Sequence, residues 1–222
     1  MLTDGVNITV LAGHYGSGKT QIAAFLAAEL RKRHERVTLC DLDIVNPYFR
    51  TVDHRALLES AGIRLISSAY AGSNVETPGF PPEAASVFDD PGVVSVIDVG
   101  GDDRGALALG RYAEKLTGNA AILLVINKYR PLSAGARDTC EICREIENAG
   151  RFRFTGIVNN SNLGAETTAE NVLSSLPYAE AISQSLSLPV VAVSVMKGLE
   201  RELADKIEHL WCMEIYRKWV SL

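Results

Sequence analysis

Gly13-His14-Tyr15-Gly16-Ser17-Gly18-Lys19-Thr20 fits the pattern G-x-x-x-x-G-K-[ST] at every fixed position. Such a glycine-rich loop curls its backbone N–H groups around a polyphosphate, and the helix it opens adds a field that favours anions. Lys19 brings a point charge for the terminal phosphates and Thr20 a hydroxyl for Mg2+. Gly13, His14, Tyr15, Gly16, Ser17, Gly18, Lys19, Thr20 and the adjoining Gln21 are the candidate nucleotide-binding residues. The run Val93–Asp98 ends in an acid that can hold Mg2+ through water. Just beyond it, Gly100 or Gly101 can offer a backbone N–H to a γ-phosphate. Hydrolysis removes that acceptor, which makes the segment a natural switch. Asp41 and Asp43 sit one residue apart on a strand-like run and point the same way. Asp43 is the candidate to orient an attacking water, and Asp41 to complete the Mg2+ shell. The alternative for either is a cap on the following turn. Catalysis is thus assigned to Lys19 and Asp43, and metal holding to Thr20, Asp41 and Asp98. Asp102 and Asp103 read as solvated loop acids.

The elements that must position these residues are short, apolar, β-branched runs. Strands are predicted at Val6–Ala12, Arg36–Leu42, Ile63–Ser67, Val93–Asp98, Ala121–Asn127, Phe154–Asn159 and Pro189–Val193. Most are continuously apolar, as strands covered on both faces are. Between them lie helical patterns: one after Lys19 with Ile22, Phe25, Leu26 and Leu30 on a face, another around Ser133–Asn148 stopping at Gly150. Leu199, Leu203, Ile207, Trp211, Ile215 and Trp219 recur at steps of four and predict a terminal helix packed on the sheet. Alternation of strand and helix throughout predicts an α/β fold. Its core is a single doubly wound, mostly parallel sheet of about seven strands with helices on both faces, the P-loop NTPase fold. Residues 1–222 read as one nucleotide-binding domain, with Ala71–Glu83 as an irregular loop beside the site.

Composition narrows the function classes. Of 222 residues, 47% are hydrophobic and 22% charged, which suits a buried core and argues against long disorder. A net charge of -5 disfavours non-specific binding to DNA or anionic membranes. No run reaches the roughly 18 apolar residues of a membrane span, and no secretory signal is visible. Four cysteines in this length make no disulfide framework. A cytoplasmic protein is expected, with no membrane and no DNA partner.

The ordered set of Gly13–Thr20, Asp41–Arg50, Asp98–Asp103 and Gly156–Gly164 resembles the MinD/ParA (SIMIBI) class of P-loop ATPases. That class includes the nitrogenase iron protein and the ATPases that insert nickel into carbon monoxide dehydrogenase. The resemblance covers essentially the whole chain and is to a subgroup of small bacterial ATP-binding proteins. It implies that Lys19 and Thr20 bind phosphate and Mg2+, that Asp43 sits near the attacking water, and that Asp98-Val99-Gly100 forms the second switch. It also implies that an Asn in the segment Gly156–Ser161, a strand end, holds adenine, Asn160 in preference to Asn159; an amide can both donate to and accept from that base. Members that form nucleotide-sandwich dimers carry a second lysine after the first glycine of the loop. Here that position is His14, which cannot supply a permanent charge in trans. A homodimer stays possible, and Arg50, Arg104 and Arg111 are the arginines near the switches.

Asn127-Lys128-Tyr129-Arg130 begins like the guanine-reading Asn-Lys-x-Asp but has Arg130 in place of the acid, so ATP is the expected nucleotide, with Mg2+. Cys140 and Cys143, three apart on a helix, could supply half of a metal site shared with a partner, or simply fill a core. The expected function is ATP binding with slow, Mg2+-dependent hydrolysis that switches conformation to act on a protein partner. The alternatives are a P-loop small-molecule kinase or ligase-like enzyme, with Ala71–Glu83 shaping an acceptor pocket, and a nucleotide-sensing module with negligible turnover.

Overall fold

The computed structural model describes residues 6–42, 55–67, 82–101 and 103–213. Asp43, Arg50, Asp102, the side chain of Arg104 and most of the loop Ala71–Glu83 lie outside the described residues.

Eight strands form one sheet: β1 (Ile8–Ala12), β2 (Val37–Leu42), β3 (Ile63–Ser67), β4 (Val94–Val99), β5 (Ala120–Ile126), β6 (Gly156–Asn159), β7 (Val190–Met196) and β8 (Leu210–Met213). Their order is β3-β2-β4-β1-β5-β6-β7-β8, and every neighbouring pair is parallel. The central strands β1, β2, β4 and β5 are buried at every position, which is why their sequences run apolar without alternation.

Helices cover both faces. On one face α1 (Lys19–Arg31) lays Ile22, Ala23, Leu26, Ala27 and Leu30 against Leu11, Leu39, Val96, Leu123 and Val158. Each large aliphatic side chain buried there contributes roughly 1.5–3 kcal/mol. On the other face α3 (Asp103–Leu109), α5 (Ala136–Gly150) and α7 (Leu176–Leu186) pack Leu109, Ile146 and Ile182 onto Val10, Ile97, Leu124 and Ile157. Shorter helices fill the connections: α2 (Arg55–Ser60), α4 (Ala113–Leu116), α6 (Ala169–Ser174) and α8 (Glu200–Leu203). Parallel pairing brings the carboxyl ends of β1, β2 and β4 to one edge, where a ligand is bound in doubly wound sheets.

One expectation changes. The predicted terminal helix over Leu199–Trp219 is not what the chain forms as far as it is described. Helix α8 lasts one turn, Leu203 and Ile207 turn inward, and Leu210–Met213 becomes β8. The backbone explains the preference. Val193 N–H donates to His209 O at 2.9 Å and Lys197 N–H to Met213 O at 2.9 Å, so the strand satisfies the edge of β7 that a helix would leave unpaired. Trp211 then packs on Phe25 of α1, ring centroids 5.8 Å apart. Helix α5 stops at Gly150 as expected, but Arg151, with φ 54°, and not the glycine, takes the left-handed position.

Candidate functional site

The loop between β1 and α1 is built around backbone approaches that only glycine permits. Gly18 has φ 89° and is the cap of α1, and a Cβ there would overlap the Asn160 amide nitrogen. Within the loop, Ser17 N–H donates to His14 O at 3.1 Å and Lys19 Nζ donates to the same carbonyl at 3.2 Å. The Lys19 ammonium is thereby held over the loop although the residue is 5% exposed. His14 turns its Nδ1 to Tyr15 O, 2.8 Å away, and since a carbonyl only accepts, Nδ1 carries the proton. Tyr15 is exposed, Ser17 buried, and Gln21 half-buried in the first turn of α1.

Beside the loop lies the acidic pair. Thr20 Oγ1 donates to Asp98 Oδ2 at 2.6 Å, tying the first turn of α1 to β4. Asp41 on β2 is the register partner of Asp98. Their Cα atoms are therefore about 4.8 Å apart and both side chains project to the α1 face. Both acids are buried. Their negative charge is felt by Cys40: burial chiefly, then Asp41 and Asp98, push its thiol well above the ordinary range.

A hydroxyl and two carboxylates at the first turn of a helix form a hard oxygen donor set, which fits Mg2+. That ion takes one or two carboxylates and leaves its other positions to water and phosphate. Among the described residues no cluster of three or more His, Cys, Asp or Glu side chains makes a closed metal cage.

Gly100 follows β4 and is buried. Its neighbour Gly101 lies so close to the loop that a Cβ would stand 2.7 Å from Tyr15 N and Cα and 3.2 Å from Lys19 Nζ. The segment after Asp98 thus lies directly against the backbone of the phosphate loop.

At the end of β6 the two asparagines part company. Asn159 spends its side chain on local structure, donating to Ser175 Oγ at 2.9 Å and accepting from Ser161 N and Oγ at 3.2 and 2.7 Å. Asn160 reaches the phosphate loop: Nδ2 donates to Ser17 O at 2.7 Å, and Oδ1 accepts from Ser194 Oγ of β7 at 2.6 Å. It is fully buried.

Two residues that the sequence reading weighed only for base choice make contacts at the site that it did not assign. Asn127 accepts from Tyr129 N and Asn162 N through Oδ1, fastening the turn after β5 to the turn after β6. Arg130 donates from Nε to Gly16 O at 2.7 Å. Of the arginines expected near the switches, Arg111 is exposed at a 3-10 turn following α3. Cys140 and Cys143 point into the core with Ile146 and Tyr178, and the Cys143 thiol is pushed up to about 12 by burial first and Glu147 second.

The CobQ/CobB/MinD/ParA nucleotide-binding domain matches residues 8–187. No curated protein matches the chain in sequence. Among solved structures it resembles the signal recognition particle 54 kDa protein from Aeropyrum pernix K1 in complex with GDP. There the TM-score is 0.56 and the identity 20%, over 84% of this chain and 40% of that one. It also resembles the signal recognition particle receptor FtsY from Elizabethkingia anophelis, with TM-score 0.50 and 21% identity over 86% and 62%. FtsY from Mycoplasma mycoides gives TM-score 0.52 and 18% identity over 86% and 60%. The chain thus spans between two fifths and just over three fifths of these neighbours. No described helix is long and apolar enough to cross a membrane.

Proposed function

The chain belongs to the CobQ/CobB/MinD/ParA nucleotide-binding family, and from that premise we propose that it is an ATP-driven switch. It binds ATP with Mg2+, hydrolyses it slowly and changes the surface it offers to a protein partner. The observation that carries this reading is the close backbone approach of Gly101 to the loop residue Tyr15, next to the Thr20–Asp98 hydrogen bond. A group placed to sense phosphate follows directly on the end of β4 that carries a group placed to sense metal, so loss of the γ-phosphate would be felt along that segment.

The residue roles in this reading are those that the motifs and the family resemblance imply. Loop N–H groups and Lys19 bind the phosphates, Thr20 and Asp98 hold Mg2+ with Asp41 beside them, and Gly100 meets the γ-phosphate. Bound Mg2+ neutralises charge on the transferring phosphoryl group. Asp43 orients the attacking water, and Asn160 at the end of β6 holds the base edge of the site. The signal recognition particle neighbour carries GDP. ATP is nonetheless favoured here because Arg130 stands where a guanine-reading acid is required and Lys128 Nζ is committed to Ser174 O at 2.8 Å.

Lys19→Ala is expected to abolish tight nucleotide binding. Asp43→Ala should keep binding and stop phosphate release. Competition between ATP and GTP reads base choice, and a pull-down in ATP and again in ADP reads the partner. Loss of binding in both variants makes Asp43 structural. Phosphate appearing only on an added metabolite replaces the switch with a kinase.

A further inference from the structure

Arg130 is exposed, yet its guanidinium is not loose. Nε donates to Gly16 O at 2.7 Å, and Gly16, with φ 76°, turns its Cα side toward the Arg130 stem. The turn that carries it is fixed on several sides. Arg130 precedes Pro131, which holds it extended (φ -103°, ψ 131°). Lys128 N–H donates to Ser161 Oγ at 2.9 Å, Tyr129 Oη to Asn171 O at 2.8 Å, and Ser133 Oγ to Asn127 O at 3.1 Å. Behind it, Tyr178 Oη donates to Ser133 O at 2.7 Å, and Thr139 Oγ1 lies 2.8 Å from that hydroxyl in a buried network. A surface arginine with no task needs no such footing.

We propose that Arg130 is a second permanent positive charge, beside Lys19, that this nucleotide site supplies from within its own chain. Its Nε grips the phosphate loop, and its two terminal amino groups, which have no partner among the described residues, serve a phosphate oxygen. It is a binding and specificity-determining residue, and it answers the sequence problem set by His14, a loop position without a lasting charge. The inference rests on the nucleotide-binding reading above. For two unit charges on the order of 7 Å apart, the interaction changes affinity by about threefold to fiftyfold, by more at direct contact and by more for a ligand with one more negative charge.

The test uses the full chain with ATP and ADP in the presence of Mg2+, measured by titration calorimetry at two salt concentrations. Arg130→Gln keeps an N–H donor for Gly16 O and removes the charge. It is expected to weaken ATP about tenfold and ADP about threefold, and to flatten the salt dependence of ATP binding. Arg130→Lys should keep most of the ATP preference and the salt dependence. Lys19→Ala and the unaltered protein separate the two readings. If the unaltered protein binds neither nucleotide, nucleotide binding itself falls and this inference with it. If it binds both, and Arg130→Gln either binds as well or loses ATP and ADP equally with an unchanged salt response, Arg130 is only a buttress and the inference is overturned.

Discussion

Replacing Asn160 offers a sharp test of how the base end of the site is fastened to the phosphate loop. Ser17 O can only accept, so the Asn160 nitrogen must face it. Ser194 Oγ then donates to the remaining oxygen at 2.6 Å. Asn160→Ala removes both bonds. Ser194 has a second acceptor, Asn159 O at 3.4 Å, so the chief loss is a buried Ser17 carbonyl without a partner. That costs about 1–3 kcal/mol, and the small void adds about 1 more. For a chain of this size, a loss of roughly 2–4 kcal/mol lowers Tm by about 4–16 °C.

Asn160→Asp is nearly isosteric and separates donor from volume. In its neutral form the introduced carboxyl can still donate to Ser17 O. Ionised, it faces a carbonyl oxygen while fully buried. Its folded pKa therefore rises above the unfolded value near 3.9. The folded state holds the proton more tightly, so stability is retained below pH ~4 and falls as pH rises toward the folded pKa, by about 1.4 kcal/mol per unit of elevation. Thermal melts at pH 5 and pH 8 should show a constant deficit for Asn160→Ala and a widening one for Asn160→Asp. If Asn160→Asp matches the unaltered protein at pH 8, the amide donor to Ser17 is not what fastens the loop, and the reasoning fails.

Other perturbations follow from the same geometry. Gly101→Ala places a Cβ 2.7 Å from backbone atoms of Tyr15, which cannot swing aside. The segment must withdraw from the loop, and phosphate release should fall at least about tenfold while stability changes by only ~1–3 kcal/mol; an unchanged rate would show that this close approach plays no part in turnover. Of the four cysteines, Cys40, Cys140 and Cys143 are buried and Cys212 is exposed. A thiol reagent at pH 8 should therefore modify one site in the folded protein and four after denaturation. Rapid modification of two or more native thiols would mean that the α5 pair is reachable and would reopen it as a metal site.

What can be read from the sequence divides along a physical line. The phosphate loop, the acid ending β4 and the parallel α/β architecture are legible because each is written in contiguous residues. A loop's glycine spacing and a buried strand's unbroken apolar run carry their own meaning. Thr20, Asp41 and Asp98 can be grouped because parallel strands of one sheet must end together, which topology supplies without coordinates. The terminal segment misleads for the opposite reason. Steps of four suit a helix, but they are also multiples of two, and the choice goes to the open edge of β7, a partner that no local pattern mentions.

Arg130 and Asn160 show the same limit at the site itself. In the sequence Arg130 stands out only for lacking the guanine-reading carboxylate, and Asn160 only for its likeness to a base-holding amide. Both side chains end on carbonyls of the phosphate loop, 114 and 143 residues earlier in the chain. No propensity or spacing encodes a bond across that separation. It depends on the strand order, which sets β5 directly beside β1 and β6 next to β5. The segments suited to base recognition thus also hold the phosphate loop in shape. A change at the base end should therefore alter phosphate affinity without touching phosphate, a coupling that the Asn160 and Arg130 variants measure from opposite ends.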